Sequence, residues 1–598
     1  MQRAGMAATG ALFGCLCLVG LLGCSTDEFR LQSTDEDKAD KSAQVRTVGS
    51  VTSVWGVQPV RVYGVGVVHG LRSGGGNTKP GPLRQQALRM LKEMGCTDPV
   101  AFLAQPDVAV VRVSALVPPA VQKGDRLEVE VEVDPSQPLQ SLRGAILLPC
   151  ELSEYADRAQ LTGGARPSGD LKGRTLVRAE GPVLVGLGDL NDRNRERRGR
   201  IWEGGKSLID RNFGVILNRD NKDARLAKLV ADRINERFYG PYRGAMRGMA
   251  EAKNDTLITL RIPYQYKNNW PRYLRVVRQI PLRESQGQRT SYALQLGEEL
   301  LDPVKAVPAA LKLEALGIEG VPLLKRGLEH RSPLVRFVSA EALAYLGEPA
   351  GAEPLAELIE ADPRLRAYGL AALASLDEAV CHIQLRRLLH SDSAETRYGA
   401  FRALRILDDR DPAIPGLAVN DFFLHQAAPE SKPMVHLSTT RRAEVVLFGS
   451  GIRLQPPFAL EAGPDFLVTA REGEEVCRIA RLSTHAEPVK EECSLELHEV
   501  LRRLGALGAG YADVFPMLLK AHQAGCLSCR VVVDAVPQAP SVYALVNQAA
   551  LDGFEVDVEE DADNAVDLGM TPNLFHQQNR RGSSPAKEGA GSEAKGHP

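Results

Sequence analysis

The runs SPLVRFVSAEALAYLG (332–347), DPRLRAYGLAALASLD (362–377) and SAETRYGAFRALRILD (393–408) repeat one pattern with a period of about 30 residues. Arg336, Arg366 and Arg397 align, as do Leu343, Leu373 and Leu404, and then Leu346, Leu376 and Leu407. The helical stretches before them align through Leu328, Leu358 and Leu389, and a partial earlier copy puts Leu313, Leu316 and Gly317 in register. Each unit is a helix pair whose apolar stripe cannot be buried alone, so neighbours must stack. This predicts an all-α block over 303–412. Its three arginines are expected to tie each helix start to a neighbouring acidic group or loop carbonyl.

The repeats resemble short HEAT repeats, which bind partners more often than they catalyse. They interrupt a different pattern. Residues 46–300 alternate strands with occasional helices. Leu127–Val133 (LEVEVEV) is a strict period-two strand with one apolar and one acidic face. Leu83–Met94 reads as a helix with Leu83, Ala87, Met90, Leu91 and Met94 on one side and Gly95 as its cap; Asp223–Phe238 reads as another. Residues 433–535 return to the mixed pattern: a hairpin within 435–454, two helices, and a closing strand at CRVVVDAV. The expected fold class is therefore multidomain α+β with an inserted all-α solenoid. At 598 residues the chain is far too long for one core.

The first 24 residues are expected to be processed rather than folded. Arg3 precedes an apolar run from Ala11 to Leu22, too short for a comfortable membrane span. Leu21-Leu22-Gly23-Cys24 resembles the lipobox of bacterial lipoproteins. That resemblance implies cleavage before Cys24, acylation of Cys24 and anchoring through acyl chains, with Ser25 implying the outer membrane. Residues 25–45 read as an acidic tether and 555–598 as a disordered tail. After Cys24 seven cysteines remain, an odd number. Cys477 and Cys493 flank a short polar connection and can form a hairpin disulfide. Cys526-Leu-Ser-Cys529 leads into a strand rather than a helix, so a buried or disulfide-forming role outweighs redox chemistry.

Signatures of chemistry fail on geometry. Around Gly64 and Gly66 the third glycine of a dinucleotide fingerprint is replaced by His69. Gly205-Lys206-Ser207 ends like a mononucleotide loop, but Arg200 stands where its first glycine belongs. Ser450 lacks the flanking glycines of a nucleophile elbow, since Phe448 and Ile452 hold those places. The eleven histidines are scattered without zinc-ligand spacing. A net charge of -2 and 5% aromatic content give neither a basic face nor a stacking platform for nucleic acid. No enzyme activity, cofactor or metal is expected.

The α+β parts resemble the flagellar P-ring protein family. The runs that carry it are YGVGVVHGLRSGGG with LRQQALRMLKEMG, VRVSALVPPAVQKGDRLEVEVEV, Ser141–Leu148 (SLRGAILL), GRIWEGGKSLIDRNFGVILNRDNKDARLAKLVADRINERFYG, VHLSTTRRAEVVLFGSGIRL and HEVLRRLGALGAGYADVFPMLLKAHQAGCL. Ala145 replaces a glycine of the family pattern. The match covers 46–300 and 433–535 in the family's order, with the helical block and the lipobox as departures. It implies a non-catalytic subunit of a homo-oligomeric periplasmic ring around the flagellar rod, meeting L-ring proteins and peptidoglycan, here also held to outer-membrane lipid through Cys24. The other reading is an outer-membrane lipoprotein adaptor that grips a second envelope protein with its repeats.

Overall fold

The structure, a computed structural model, describes residues 45–72, 74–76, 79–135, 137–157, 170–187, 192, 194–283, 285–440, 442–482, 488–527, 529–539 and 572–575. The signal, Cys24, nearly all of the tether and most of 555–598 lie outside the described residues.

One helical turn, α1 (Val48–Val51), enters β1 (Thr52–Trp55). β2 (Val60–His69), α2 (Pro82–Glu93), α3 (Pro99–Leu103), β3 (Ala109–Val117), β4 (Arg126–Val133), β5 (Ile146–Asp157), β6 (Asp170–Pro182), β7 (Leu184–Val185) and β8 (Arg198–Ser207) follow. Their order in the sheet is β4-β3-β2-β5-β6-β8-β7, and β4 also pairs with β8. Six antiparallel strands therefore close into a barrel, and closure removes the edges that would otherwise template foreign strands. Val62, Val113, Val129, Val131, Leu152 and Val177 belong to the core it encloses.

On the barrel's other face, Val67 and Val110 pack against Ala87 and Leu91 of α2 and Leu103 of α3. The helix ends where its cap predicts. Gly95 takes φ +83°, and the next amide, of Cys96, donates to the Leu91 carbonyl at 2.9 Å. Met94 is not part of the packed stripe; it is 46% exposed.

Barrel curvature explains two glycines in β2. A Cβ on Gly64 would lie 2.5 Å from the Glu151 carbonyl oxygen, and one on Gly66 2.6 Å from the Leu147 side chain. Neighbouring strands come too close there for any side chain. The acidic face of β4 is paired with arginines, and Glu128 on it is buried. Glu128 meets Arg200 at 2.9 Å, Glu130 meets Arg61 at 3.1 Å and Glu132 meets Arg198 at 3.2 Å.

β9 (Phe213–Leu217), α4 (Ala224–Arg237), β10 (Tyr239–Tyr242), β11 (Ala245–Gly248), β12 (Ala250–Ala252), β13 (Leu257–Leu260) and α5 (Trp270–Gln279) build a second layer. Its sheet runs β1-β9-β13-β12, all antiparallel. Asp223 caps α4 by accepting from the Arg225 amide. Val230 and Ile234 of α4 share a core with Val215, Ile258 and Tyr273.

Eight helices follow: α6 (Gln286–Leu300), α7 (Ala306–Leu316), α8 (Val321–Gly327), α9 (Pro333–Tyr345), α10 (Ala352–Ala361), α11 (Arg366–Leu373), α12 (Ala379–Leu388) and α13 (Ala394–Leu407). Leu313, Leu343, Leu373 and Leu404, in register in the sequence, are all fully buried.

The last block contains β14 (Gly416–Val419), β15 (Phe422–Ala427), β16 (Met434–Leu437), β17 (Glu444–Phe448), β18 (Phe458–Ala462), β19 (Phe466–Ala470), β20 (Val476–Arg481), β21 (Val489–Ser494), α14 (Leu497–Ala506), α15 (Tyr511–Gln523) and β22 (Arg530–Val533). One sheet is β14-β15-β17-β16-β22 and the other β18-β19-β20-β21. The block starts earlier than the sequence pattern at 433 suggests, because β14 and β15 join its first sheet. β15 pairs in parallel with β17, a long-range contact that local patterning does not reveal. Mixed sheets, a barrel and a run of helices make the chain a multidomain α+β protein.

The expected disorder of 555–598 does not extend to Pro572–Phe575. Leu574 and Phe575 are buried in the core that also holds Trp270 and Phe401. Two adjacent apolar side chains within a polar stretch anchor this segment.

Candidate functional site at the joints between blocks

Three groups of polar side chains, the first two largely buried, fasten the blocks together. The first lies where α5 meets α7 and α9. The Arg272 guanidinium contacts Glu314 at 2.5 Å and Glu341 at 2.6 Å. Tyr266 donates to Glu314 at 2.6 Å, and Asn269 donates to the Tyr345 hydroxyl at 2.9 Å. The Tyr266 and Tyr345 rings stack at 4.9 Å, and Arg272 sits over the Tyr345 ring. Burial works against the Arg272 charge, but Glu314 and Glu341 more than offset it, so its pKa is raised. Burial also raises the Glu341 carboxyl, with Arg272 opposing. One cation facing two carboxylates in a dry interface has a fixed register, because a slip would strand a charge.

The second joint places α13 on the C-terminal sheet. Tyr398 stacks on His436 of β16 at 3.5 Å and donates to Glu444 of β17 at 2.7 Å; Arg405 reaches the other oxygen of Glu444 at 2.5 Å. His436 accepts from the Ala535 amide at 3.1 Å. Burial, with Arg402 nearby, pushes its pKa down to about 3.

The third joint brings the barrel against the C-terminal block directly. Arg143 contacts Asp513 of α15 and, at 3.2 Å, Glu196. Arg72 pairs with Asp465 at 2.5 Å. Arg200 bonds both Glu128 and the Thr439 carbonyl, at 2.9 and 3.1 Å. Gly463 makes room for Asp513, since a Cβ there would come within 2.0 Å of its carboxylate. Cores also cross this boundary: Leu184 of β7 packs with the C-terminal core, and Ala512 of α15 with the barrel core.

The residues singled out in the sequence fall in separate places. Arg336 points to the His330 carbonyl at 3.5 Å, Arg366 to Glu395 at 3.3 Å, and Arg397 to the Ser391 and Lys432 carbonyls at 2.5 and 2.7 Å. The three serve different partners and do not converge. Cys477 and Cys493 stand directly opposite on β20 and β21, sulfur to sulfur 3.3 Å, in the C-terminal core. Burial raises both Cys526 and Cys529, the reverse of what a reactive thiol pair needs. Gly205-Lys206-Ser207 lies inside β8, where Gly205 pairs with both Leu127 and Ala179, so it is strand and not a phosphate loop. Among the described residues, no three His, Cys, Asp or Glu side chains are grouped to hold a metal ion, and no helix is long and apolar enough to cross a membrane.

The joint residues themselves escaped the sequence reading. A signal existed for the first: Glu314 and Glu341 are carboxylates within the apolar stripes of α7 and α9, at repeat positions that hold Ala344 and Ala371 in the next copies. A charge in such a stripe calls for a buried partner.

The geometry defines a scaffold of interlocked α+β and helical blocks, and comparison with known proteins shows what part of it is similar to. Residues 47–290 match the model of FlgI, the flagellar P-ring protein. This stretch, from α1 through the barrel to the start of α6, is similar to the flagellar P-ring protein family. Curated relatives include the flagellar P-ring proteins of Wigglesworthia glossinidia brevipalpis, 29% identical over 216 residues (34% of this chain, 53% of the relative), and of Escherichia coli O139:H28 and O9:H4, each 30% identical over 241 residues (37% and 58%). The chain thus spans between 53% and 58% of the length of these relatives.

Two predictions follow from the joints. Arg272→Met should cost about 3–5 kcal/mol by leaving two buried carboxylates unmatched, and adding Glu314→Leu and Glu341→Leu should recover most of it; urea unfolding of the single and triple variants measures this. His436 is neutral when folded, and the unfolded chain protonates it below about 6.5. Its contribution is therefore complete above that pH and is lost as pH falls toward 3. Stability should drop between pH 7 and 5 with a slope approaching about 1.4 kcal/mol per unit from this group, and His436→Gln should flatten the slope.

Proposed function

We propose that the chain is a structural subunit of the flagellar basal-body P ring. Copies would associate head to tail around the rod in the periplasm and act as a passive bearing. A heterologous interface that closes on itself makes a ring without any catalytic group. The observation that carries this reading is the P-ring match over residues 47–290. The third joint supports extending it to the C-terminal block, because the barrel and that block share cores across their boundary.

On this reading the helical block, 303–412, is a HEAT-like insertion clasped from both sides, and its outward surface is left for other envelope components. L-ring proteins and peptidoglycan are the proposed neighbours. Acylated Cys24 is the proposed tie to outer-membrane lipid, and residues 25–45 are its tether.

Deleting the gene in the source bacterium should abolish swimming, and basal bodies should lack a periplasmic ring by electron microscopy. The wild-type gene should restore both, whereas Cys24→Ala should shift the protein from the membrane to the soluble fraction. Normal swimming in the deletion strain would refute the flagellar role.

We also propose that Cys477 and Cys493 form a disulfide in the periplasm. Both thiols are oxidised, losing two protons and two electrons to the disulfide of an exported thiol–disulfide oxidoreductase. Alkylating the chain before and after reduction should add two labels from this pair only after reduction; full labelling beforehand would exclude the bond.

A further inference from the structure

Residues 572–575 read Pro-Asn-Leu-Phe and lie far along the chain from the last preceding described residue, Ala539, yet they are held by specific contacts. The Asn573 side chain uses both ends of its amide. Its Oδ1 accepts from the Trp270 amide at 3.1 Å, and its Nδ2 donates to the Lys267 carbonyl at 2.8 Å. The Leu574 amide donates to the Asn268 carbonyl at 3.1 Å, and its carbonyl accepts from Arg402 of α13. The Phe575 amide donates to the Pro572 carbonyl at 2.9 Å, closing a turn that starts from proline's restricted φ. The Phe575 ring faces the Arg402 guanidinium at 5.5 Å. Leu574 and Phe575 are 1% and 2% exposed, and Arg402 is 9% exposed.

Arg402 holds the repeat position occupied by Glu341 in α9 and Ala371 in α11. Glu341 is explained by Arg272. Arg402 is explained by the peptide it holds, to which it gives a hydrogen bond and a cation–π face.

We propose that the cleft between Lys267–Trp270 and α13 is a recognition site for a Pro-Asn-Leu-Phe peptide, and that its occupant is this chain's own C-terminal segment acting as a strap. The strap joins the start of α5, in the P-ring-like domain, to the last helix of the helical block. Each contact discriminates. Aspartate in place of Asn573 would set a carboxylate against the Lys267 carbonyl and lose the donated bond. A small residue at 575 would empty the site beside Arg402.

The test uses the full chain carrying Leu574→Ala and Phe575→Ala, which vacates the cleft, and a fluorescein-labelled synthetic peptide of residues 570–578 followed by anisotropy. The peptide should bind the double variant at least tenfold more tightly than wild type, whose attached segment occupies the cleft at an effective concentration of order millimolar. A peptide with Asn573→Asp or Phe575→Ala should lose at least tenfold. Absence of binding to a folded double variant, or equal binding of the altered peptides, overturns the proposal. If the double variant does not fold, hydrogen exchange of the wild-type chain decides. Slowed exchange at the Leu574 and Phe575 amides supports the strap, and exchange at the rate of an unstructured peptide overturns it.

Discussion

Arg272, buried with Glu314 and Glu341, is the contact on which the architecture turns. Its helix belongs to the P-ring-like domain and its partners to the first two repeat-bearing helices. Ionic groups in a dry interface give little net stability, because desolvation consumes most of the Coulombic gain. What they provide is register. Apolar surfaces can slide past one another at modest cost, whereas a guanidinium held between two carboxylates cannot leave either without exposing an unmatched charge. The stacked Tyr266 and Tyr345 rings pack beside the charges and hold one side of the joint. The helical array therefore departs from the domain in one direction, and everything C-terminal to it inherits that placement.

The array then delivers the chain back to the barrel. Tyr398, Glu444, Arg405 and His436 fix its last helix on the C-terminal sheet, and Arg143, Asp513, Arg72 and Asp465 fix the C-terminal block on the barrel. The three joints close a loop of contacts. An insertion in the middle of a fold ordinarily raises the entropy cost of bringing the flanking parts together. A rigid helical array with both ends fastened avoids most of that cost, since the flanking parts are presented to each other rather than left to search. For a subunit proposed to bear against a rotating rod, such closure resists shear between blocks without any one large interface.

Much of this was legible in the sequence, and the missing parts share a cause. The helical repeats were readable because their register is local: Leu343, Leu373 and Leu404 recur and are all buried. The helix over Pro82–Glu93, capped by Gly95, and the strand over Arg126–Val133 were readable for the same reason. Barrel closure was not, because the β4–β8 pairing joins strands far apart in sequence. Without it, the alternating glutamates of β4 show as an acidic face whose partners Arg61, Arg198 and Arg200 cannot be named. Gly64 and Gly66 could be excluded as a dinucleotide fingerprint from sequence, but their purpose was hidden because the sequence shows small residues and not the strand pressing on them. β14 and β15 were missed since β15 finds its parallel partner only in the folded sheet. The docking of Pro572–Phe575 was hidden because two apolar residues amid polar sequence carry too weak a signal, and their receptor is built from parts elsewhere in the chain.

The central claim is that the P-ring-like domain, the helical array and the C-terminal block behave as one mechanically coupled body. Native-state hydrogen exchange across a urea series tests it most directly, since it resolves which segments open together. Amides of β3, α9, α13 and β17 should converge on one opening free energy with one dependence on urea. Exchange of the helical array at markedly lower urea than the barrel and the C-terminal sheet, with those two unaffected by its opening, would contradict the account.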